Sequence, residues 1–581
     1  MTILDWLVIF LYCILLLAVG AIFSRKNKTS SDMFAAGRQS PWWISGISAY
    51  MTMFSAGTFV VWGGMAYDYG FVAISVSLCY GVAAFFAGLF FAGYWRKMGL
   101  STAAEFIQLR FGNSAFHFYT WFKLIFMSFF TGLTLYGLAV MLCPLISLPE
   151  GHFLANAATG TLSVDWACII LGAIVIFYTM SGGLWAVLLT DTLQFFVLML
   201  AVIMVVPLSI SKIGGFENFT TSAPEGFFAL TSGKFTWLFL LGWMLTNMFQ
   251  LGGEWHFIQR YFCVPSVKDA RKSCYLFSVL YLTTPFLWML PPMIYKVVDP
   301  NADPEQAYIL MCKSVLPAGM VGMMIAAMFS ATASSLSSLL NVNASVLTND
   351  VYKKIFRPEA TEKQVIVAGR VITIVMGVWL LSGSIILPRL TSYRNFVLVF
   401  GSMIGSSILM PTIWALRSKK IGQSAVWLTV SASVVVGFIV KFVLSKNGML
   451  SSSEMFAPII NFVDAHSREV DAAVGILTPL TVLTICELKA KEYNAGWKRL
   501  NDKVKSIQDT EIPTIASTMP AKVILMNLGI LSLMLAIMAL LGNDRTEVLW
   551  AAAAIFFFTM LAGSVPIVIR ILKEKKTAVS S

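Results

Sequence analysis

Between Met324 and Asn341 six hydroxyl side chains, Ser330, Thr332, Ser334, Ser335, Ser337 and Ser338, crowd an apolar run long enough to cross a bilayer. On a helix, Ala331, Ser334, Ser335 and Ser338 fall at i, i+3, i+4 and i+7 and share one face, with Ser337 on its flank. Lipid cannot hydrogen-bond these oxygens, so they need partners within the protein. Two chemistries answer that need. Small residues let helices pack closely, with Ser and Thr bonding across the gap. Alternatively, a face of hydroxyls and carbonyls suits a small hard cation. The spacing alone leaves both open.

A carboxylate supplies the second clue. Gly182-Gly183 marks a tight turn between two apolar runs, and Asp191 follows about two turns into the next helix. An acid within a span is costly and marks an ion path, unless it pairs or snorkels at the membrane face. Lys123 sits near the end of another span and reads as a snorkelling base. Two further runs are interrupted in the middle. Ser55-Ala56-Gly57-Thr58 breaks the run that begins at Trp42-Trp43, and Gln250-Leu251-Gly252-Gly253-Glu254 breaks the one that begins near Phe235. Such a pair is either two simple glycine kinks or the broken helices of a transporter site, where unwound backbone offers carbonyls to a cation.

The elements that must position these groups are membrane helices. The 581 residues are 58% hydrophobic and 12% charged, against about 25% charged in a soluble chain. Fifteen spans are expected, at 3–23, 42–69, 70–95, 120–146, 164–183, 185–212, 236–258, 272–298, 321–346, 365–388, 393–416, 423–445, 470–487, 521–541 and 548–572. With the N-terminus outside, about 30 basic residues fall in inside loops and about 10 outside, Arg260 being counted with the inside loops. The same bias explains the net charge of +12 without nucleic acid, and it leaves the C-terminus cytoplasmic. Segment 487–521 mixes charges with Trp497, Leu500, Val504 and Ile507 and reads as a cytoplasmic surface helix. Neither the eight cysteines nor the four histidines have metal-ligand spacing, and no soluble catalytic domain fits the loops. The chain reads as a plasma-membrane protein (the inner membrane, if bacterial) and not as an enzyme. Its expected partners are a small solute and the bilayer, with no obligate protein partner evident.

Distributed motifs resemble the sodium:solute symporter family, which includes sodium/glucose cotransporters and bacterial proline, sialate and galactose symporters. They are Phe34-Ala-Ala-Gly37-Arg38, Glu105 to Gly112, Tyr178 to Gln194, Gln259-Arg260 with Val267 to Ala270, and Ala326 to Asn341 with Thr348 to Tyr352. The resemblance covers roughly residues 1–450. It implies an all-α LeuT-type fold of two inverted five-helix repeats, here 42–212 and 236–416. One helix (with its loop, 1–41) would precede them and four accessory helices would follow in 417–581. It also implies sodium-coupled uptake by alternating access. A shared Na+ site would use Met51, Phe54, Ala331, Ser334 and Ser335. A second, as in sialate symporters, would use Asp191, Ser334, Ser337 and Ser338, giving two Na+ per solute.

The residues say less about the solute. Where galactose-type members carry Gln, Glu and Lys, this chain has Thr58, Ser77 and Tyr281, which departs from the glucose and galactose pattern. The pocket expected from Thr58, Ser77, Tyr80, Glu254, Trp255 and Tyr281 combines aromatic faces with polar groups, as a sugar or sugar derivative requires. A carboxylate or amino acid is the alternative, weakened because no Arg is expected to face the middle of the membrane. A membrane sensor that binds its solute without transporting it is the non-transport alternative.

Overall fold

The computed structural model describes residues 2–24, 29–149, 151–317, 319–389, 406–446, 448–451 and 453–510. Helix dominates, because only intrasegment hydrogen bonds satisfy a backbone in lipid. Among the described residues eight helices are long and apolar enough to span, or nine if one bent pair counts as a span. In chain order we label α1 Ile3–Ser24; α2 Trp42–Met53 and α3 Thr58–Tyr69, the bent pair; α4 Phe71–Met98, α5 Asn113–Leu145 and α6 Val164–Lys212. There follow α7 Trp237–Gly253, α8 Trp255–Phe262, α9 Val267–Val298, α10 Met320–Phe356 and α11 Glu362–Arg389. The last are α12 Ser406–Ala415, α13 Gln423–Val443, α14 Ser467–Lys489 and α15 Ala495–Thr510. The expected spans 521–541 and 548–572, and the first part of 393–416, lie outside the described residues.

The interruptions fall where weak helix formers stand. Helix α2 stops at Met53, Phe54 is extended (ψ 130°), and the axis turns by 64° into α3. Helix α7 stops at Gly253, with Glu254 extended (ψ 134°), and α8 resumes at Trp255. A side chain at Gly252 would put its Cβ 2.4 Å from the Phe91 ring, so the glycine permits a close approach as well as a break. Helix α6 is kinked at Gly183, whose φ of 60° and ψ of −158° suit only glycine. The two expected spans 164–183 and 185–212 are its two arms.

Helix α10 lies at the centre. Most of its residues from Met320 to Val346 are buried, and α6, α1, α2 and α11 pack around it. Its N-terminus is held by α1. Asp5 is buried, and its Oδ1 accepts from the Gly319 and Gly322 amides at 2.9 and 2.8 Å, a carboxylate on otherwise orphan helix donors. The packing of α1 on α10 also brings the Tyr12 hydroxyl against Ser330. Helix α15 is the amphipathic element expected in 487–521. Leu500 is buried, Trp497 is half-buried, and Val504 and Ile507 pack against the core.

Candidate functional site

The break after α2 frees carbonyls, and the hydroxyl face of α10 meets them. Ser335 Oγ lies 2.8 Å from Thr52 O and 2.7 Å from Phe54 O, donating to one at a time, and 3.4 Å from Ala331 O. Thr332 Oγ1 accepts from the Ala56 amide at 2.8 Å. Of the first expected ion set, Phe54, Ala331 and Ser335 therefore converge. Met51 O accepts the Phe54 amide at 3.1 Å, closing the end of α2, and Thr52 O stands beside Phe54 O at Ser335. A chain turning out of a helix frees its last carbonyls in succession, so the motif alone could not say which would face Ser335.

Ser334 points toward Asp191. Asp191 has no exposed surface. Its Oδ2 accepts from Ser48 Oγ, while Oδ1 and Ser334 Oγ have no hydrogen-bond partner. Such orphaned oxygens beside a buried carboxylate form a donor set a cation would complete. Ser337 is buried and donates to Ser334 O at 3.1 Å. Ser338 Oγ is 3.1 Å from Thr52 Oγ1, which links the second expected ion position to the residue whose carbonyl meets Ser335.

Two basic residues lie elsewhere than expected. Arg260 belongs to no loop. It is fully buried on α8, with Nη2 3.6 Å from Asp191 Oδ2. Its Nε and Nη2 donate to Ser48 Oγ at 3.2 and 3.1 Å, Nη2 also donates to Ser338 Oγ, and Nη1 donates to His256 O at 3.0 Å. An Arg thus does reach the interior, because Asp191 needs a countercharge and the resumed helix α8 presents one. Lys123 does not snorkel. It is buried, with Nζ 2.7 Å from Glu254 Oε2 and 5.5 Å from the centre of the Trp255 ring. Its stem points to the second break, where an acid is available, and not to the membrane face.

A cavity of about 300 Å³ adjoins the first break. Thr52, Ser55, Gly57, Thr58, Trp62, Tyr80, Trp243, Gln250, His256 and Ser335 are among its lining residues. Of the expected solute contacts, Thr58 and Tyr80 line it. Tyr281 stacks on Tyr80 at 5.2 Å, one layer behind. Ser77 is buried, returning its hydroxyl to Ala73 O at 2.9 Å. Glu254 is taken by Lys123, and Trp255 faces a separate small cleft with Thr102 and Gln259. The sequence marks none of Trp62, Trp243, Gln250 and His256 as a solute contact. Gln250 and His256 flank the second break, and that position was the one available signal.

The sodium:solute symporter family model matches residues 33–430. The sodium/glucose cotransporter of Vibrio parahaemolyticus is 25% identical over 481 residues, which cover 75% of this chain and 85% of that one. The sodium/sialic acid symporter SiaT of Proteus mirabilis is 25% identical, covering 74% of this chain and 88% of its own length. The solved substrate-bound, outward-open structure of a Na+-coupled sialic acid symporter superposes with a TM-score of 0.69 at 19% identity, over 85% of this chain and 99% of that one. A match over most of the chain, with the same fold, makes this protein a member of the sodium:solute symporter family.

Proposed function

We propose that this protein imports a small, hydroxyl-rich solute, a sugar or sugar derivative, coupled to two Na+ ions by alternating access. The observation that carries the reading is Ser335. Its hydroxyl touches the carbonyls freed at the first break and also lines the 300 Å³ cavity, so one side chain borders both ion and solute. The shared ion position would be Phe54, Ala331 and Ser335 with Thr52, and the second Asp191, Ser334, Ser337 and Ser338. Residues 42–212 and 236–416 would form the inverted repeats, with the N-terminus outside and the C-terminus cytoplasmic, the orientation that the basic bias of the loops favours. With Glu254 paired to Lys123, the lining combines indoles, hydroxyls, an amide and an imidazole. That set stacks on and hydrogen-bonds a sugar. The relatives named for glucose and sialic acid support the same class.

The energetics suit accumulation. Each Na+ entering down the membrane potential yields about 2.3 kcal/mol per 100 mV, so two yield about 4.6 kcal/mol, around a thousandfold in concentration. The test is the unfolding midpoint of purified protein with sugars, sugar acids, amino acids and carboxylates, each in Na+ and in K+. A sodium-dependent shift with a sugar is expected. Shifts indifferent to the cation would overturn the coupling.

A further inference from the structure

We propose that Arg260 is a tethered cation that competes with the second Na+ ion for Asp191 and Ser338, so that its guanidinium holds those oxygens when the ion has left. The inference rests on the second ion position proposed above and adds what happens there between ions.

The geometry is lopsided in an informative way. Arg260 approaches only the Oδ2 side of Asp191, at 3.6 Å, too long for a hydrogen bond to the carboxylate. Its hydrogen bonds go to neutral groups, Ser48 Oγ, Ser338 Oγ and His256 O. On the other side, Asp191 Oδ1 and Ser334 Oγ are buried and unpartnered. A bidentate guanidinium–carboxylate pair would use both acid oxygens. Here half of the acid is left for something else, and the neighbouring hydroxyl with it.

An ion at Oδ1 and Ser334 would bring two positive charges to one fully buried carboxylate. Ser338 Oγ, already accepting from Arg260, would have to turn a lone pair to the ion as well. Both interactions favour withdrawal of the guanidinium as Na+ arrives and its return as Na+ departs. Arg260 also donates to the backbone of His256, which lines the solute cavity. The exchange at Asp191 therefore reaches the solute through one short helix, α8.

The experiment is 22Na+ binding to the purified full-length protein, with choline replacing Na+ as the ionic balance. Asp191→Asn is read first. Loss of one of two bound ions keeps the second position, whereas an unchanged count removes that position and this inference with it. Arg260→Gln is then expected to lower the Na+ concentration for half-saturation by about tenfold or more, because the buried acid has lost its resident cation. Arg260→Lys, which keeps a charge, should stay within about threefold of the wild type. Should Arg260→Gln fail to fold, Ser48→Ala replaces it. That change removes two hydrogen bonds from Arg260 and one from Asp191 Oδ2, leaves Asp191 Oδ1 and Ser334 in place, and should tighten Na+ binding severalfold. With Asp191→Asn one ion short, an unchanged or weakened affinity in Arg260→Gln, or in Ser48→Ala if that stands in, overturns the competition while leaving the two-ion reading in place.

Discussion

The two broken helices look alike in the backbone and differ in what meets them. At the first break, Phe54 turns out of α2, and its carbonyl and that of Thr52 face the single hydroxyl of Ser335 beside a cavity. At the second, Glu254 turns out of α7, and the neighbouring carbonyls are already filled. Tyr261 OH donates to Leu251 O at 2.8 Å and Trp95 Nε1 to Gly252 O at 2.7 Å, while Lys123 takes the acid. One proton shared by two carbonyls leaves lone pairs for a cation, whereas fixed donors and an ion pair leave few. An interrupted helix is thus a site only where its freed groups remain short of partners.

The largest expected effect tests the first break. Ser335→Ala should reduce sodium-driven accumulation to background in proteoliposomes while the protein still folds, since one hydroxyl is lost and no charge is stranded. Accumulation at the wild-type level would mean that the freed carbonyls are only packed.

At the second break a comparable change should cost stability. Lys123→Met strands Glu254, and an unpaired buried charge costs about 3–5 kcal/mol. Chemical or thermal unfolding in detergent should show the loss, and adding Glu254→Gln should recover most of it. Lack of recovery in the double variant would show that the pair does not act as a unit.

Gly252→Ala forces a Cβ to 2.4 Å from the Phe91 ring, an overpacking worth about 1–3 kcal/mol. Pairing it with Phe91→Leu should restore part of the midpoint if crowding is the cause. Asp5→Ala removes the cap on α10, about 0.5–2 kcal/mol. It should also weaken Na+ half-saturation slightly, because the helix that carries Ser335 is less firmly placed. Thr58→Val is the mildest. It should raise the solute concentration for half-maximal uptake severalfold and leave Na+ binding alone; an equal effect on both would move Thr58 from the solute to the ion.

Residue type and spacing revealed a good part of this. The hydroxyl face of α10 follows from helical period, both breaks from glycines and small polar residues within apolar runs, and the turn of α6 from Gly182-Gly183. Those features are local, so a window of ten or twenty residues contains their cause. The sequence puts Arg260 with the loop charges and Lys123 at the membrane face, because a buried base has the same local signature as either. The clue was the unpaired acid. Asp191 and Glu254 within spans each require a countercharge, and Arg260 is the base that stands just past a break.

The sequence by itself determined that this is a polytopic helical membrane protein of the sodium:solute symporter family, with a serine face and two interrupted helices, because apolar length, helical period and motif are properties of the chain. Only the tertiary structure decided that Thr52 rather than Met51 shares Ser335 with Phe54. The same holds for Trp62, Trp243, Gln250 and His256 lining the cavity in place of Ser77, Glu254 and Trp255, and for Arg260 standing beside Asp191. Each of those outcomes depends on the angle at which one helix leaves a break and on which side chain of a distant helix arrives there, and contacts so far apart in sequence are fixed by packing.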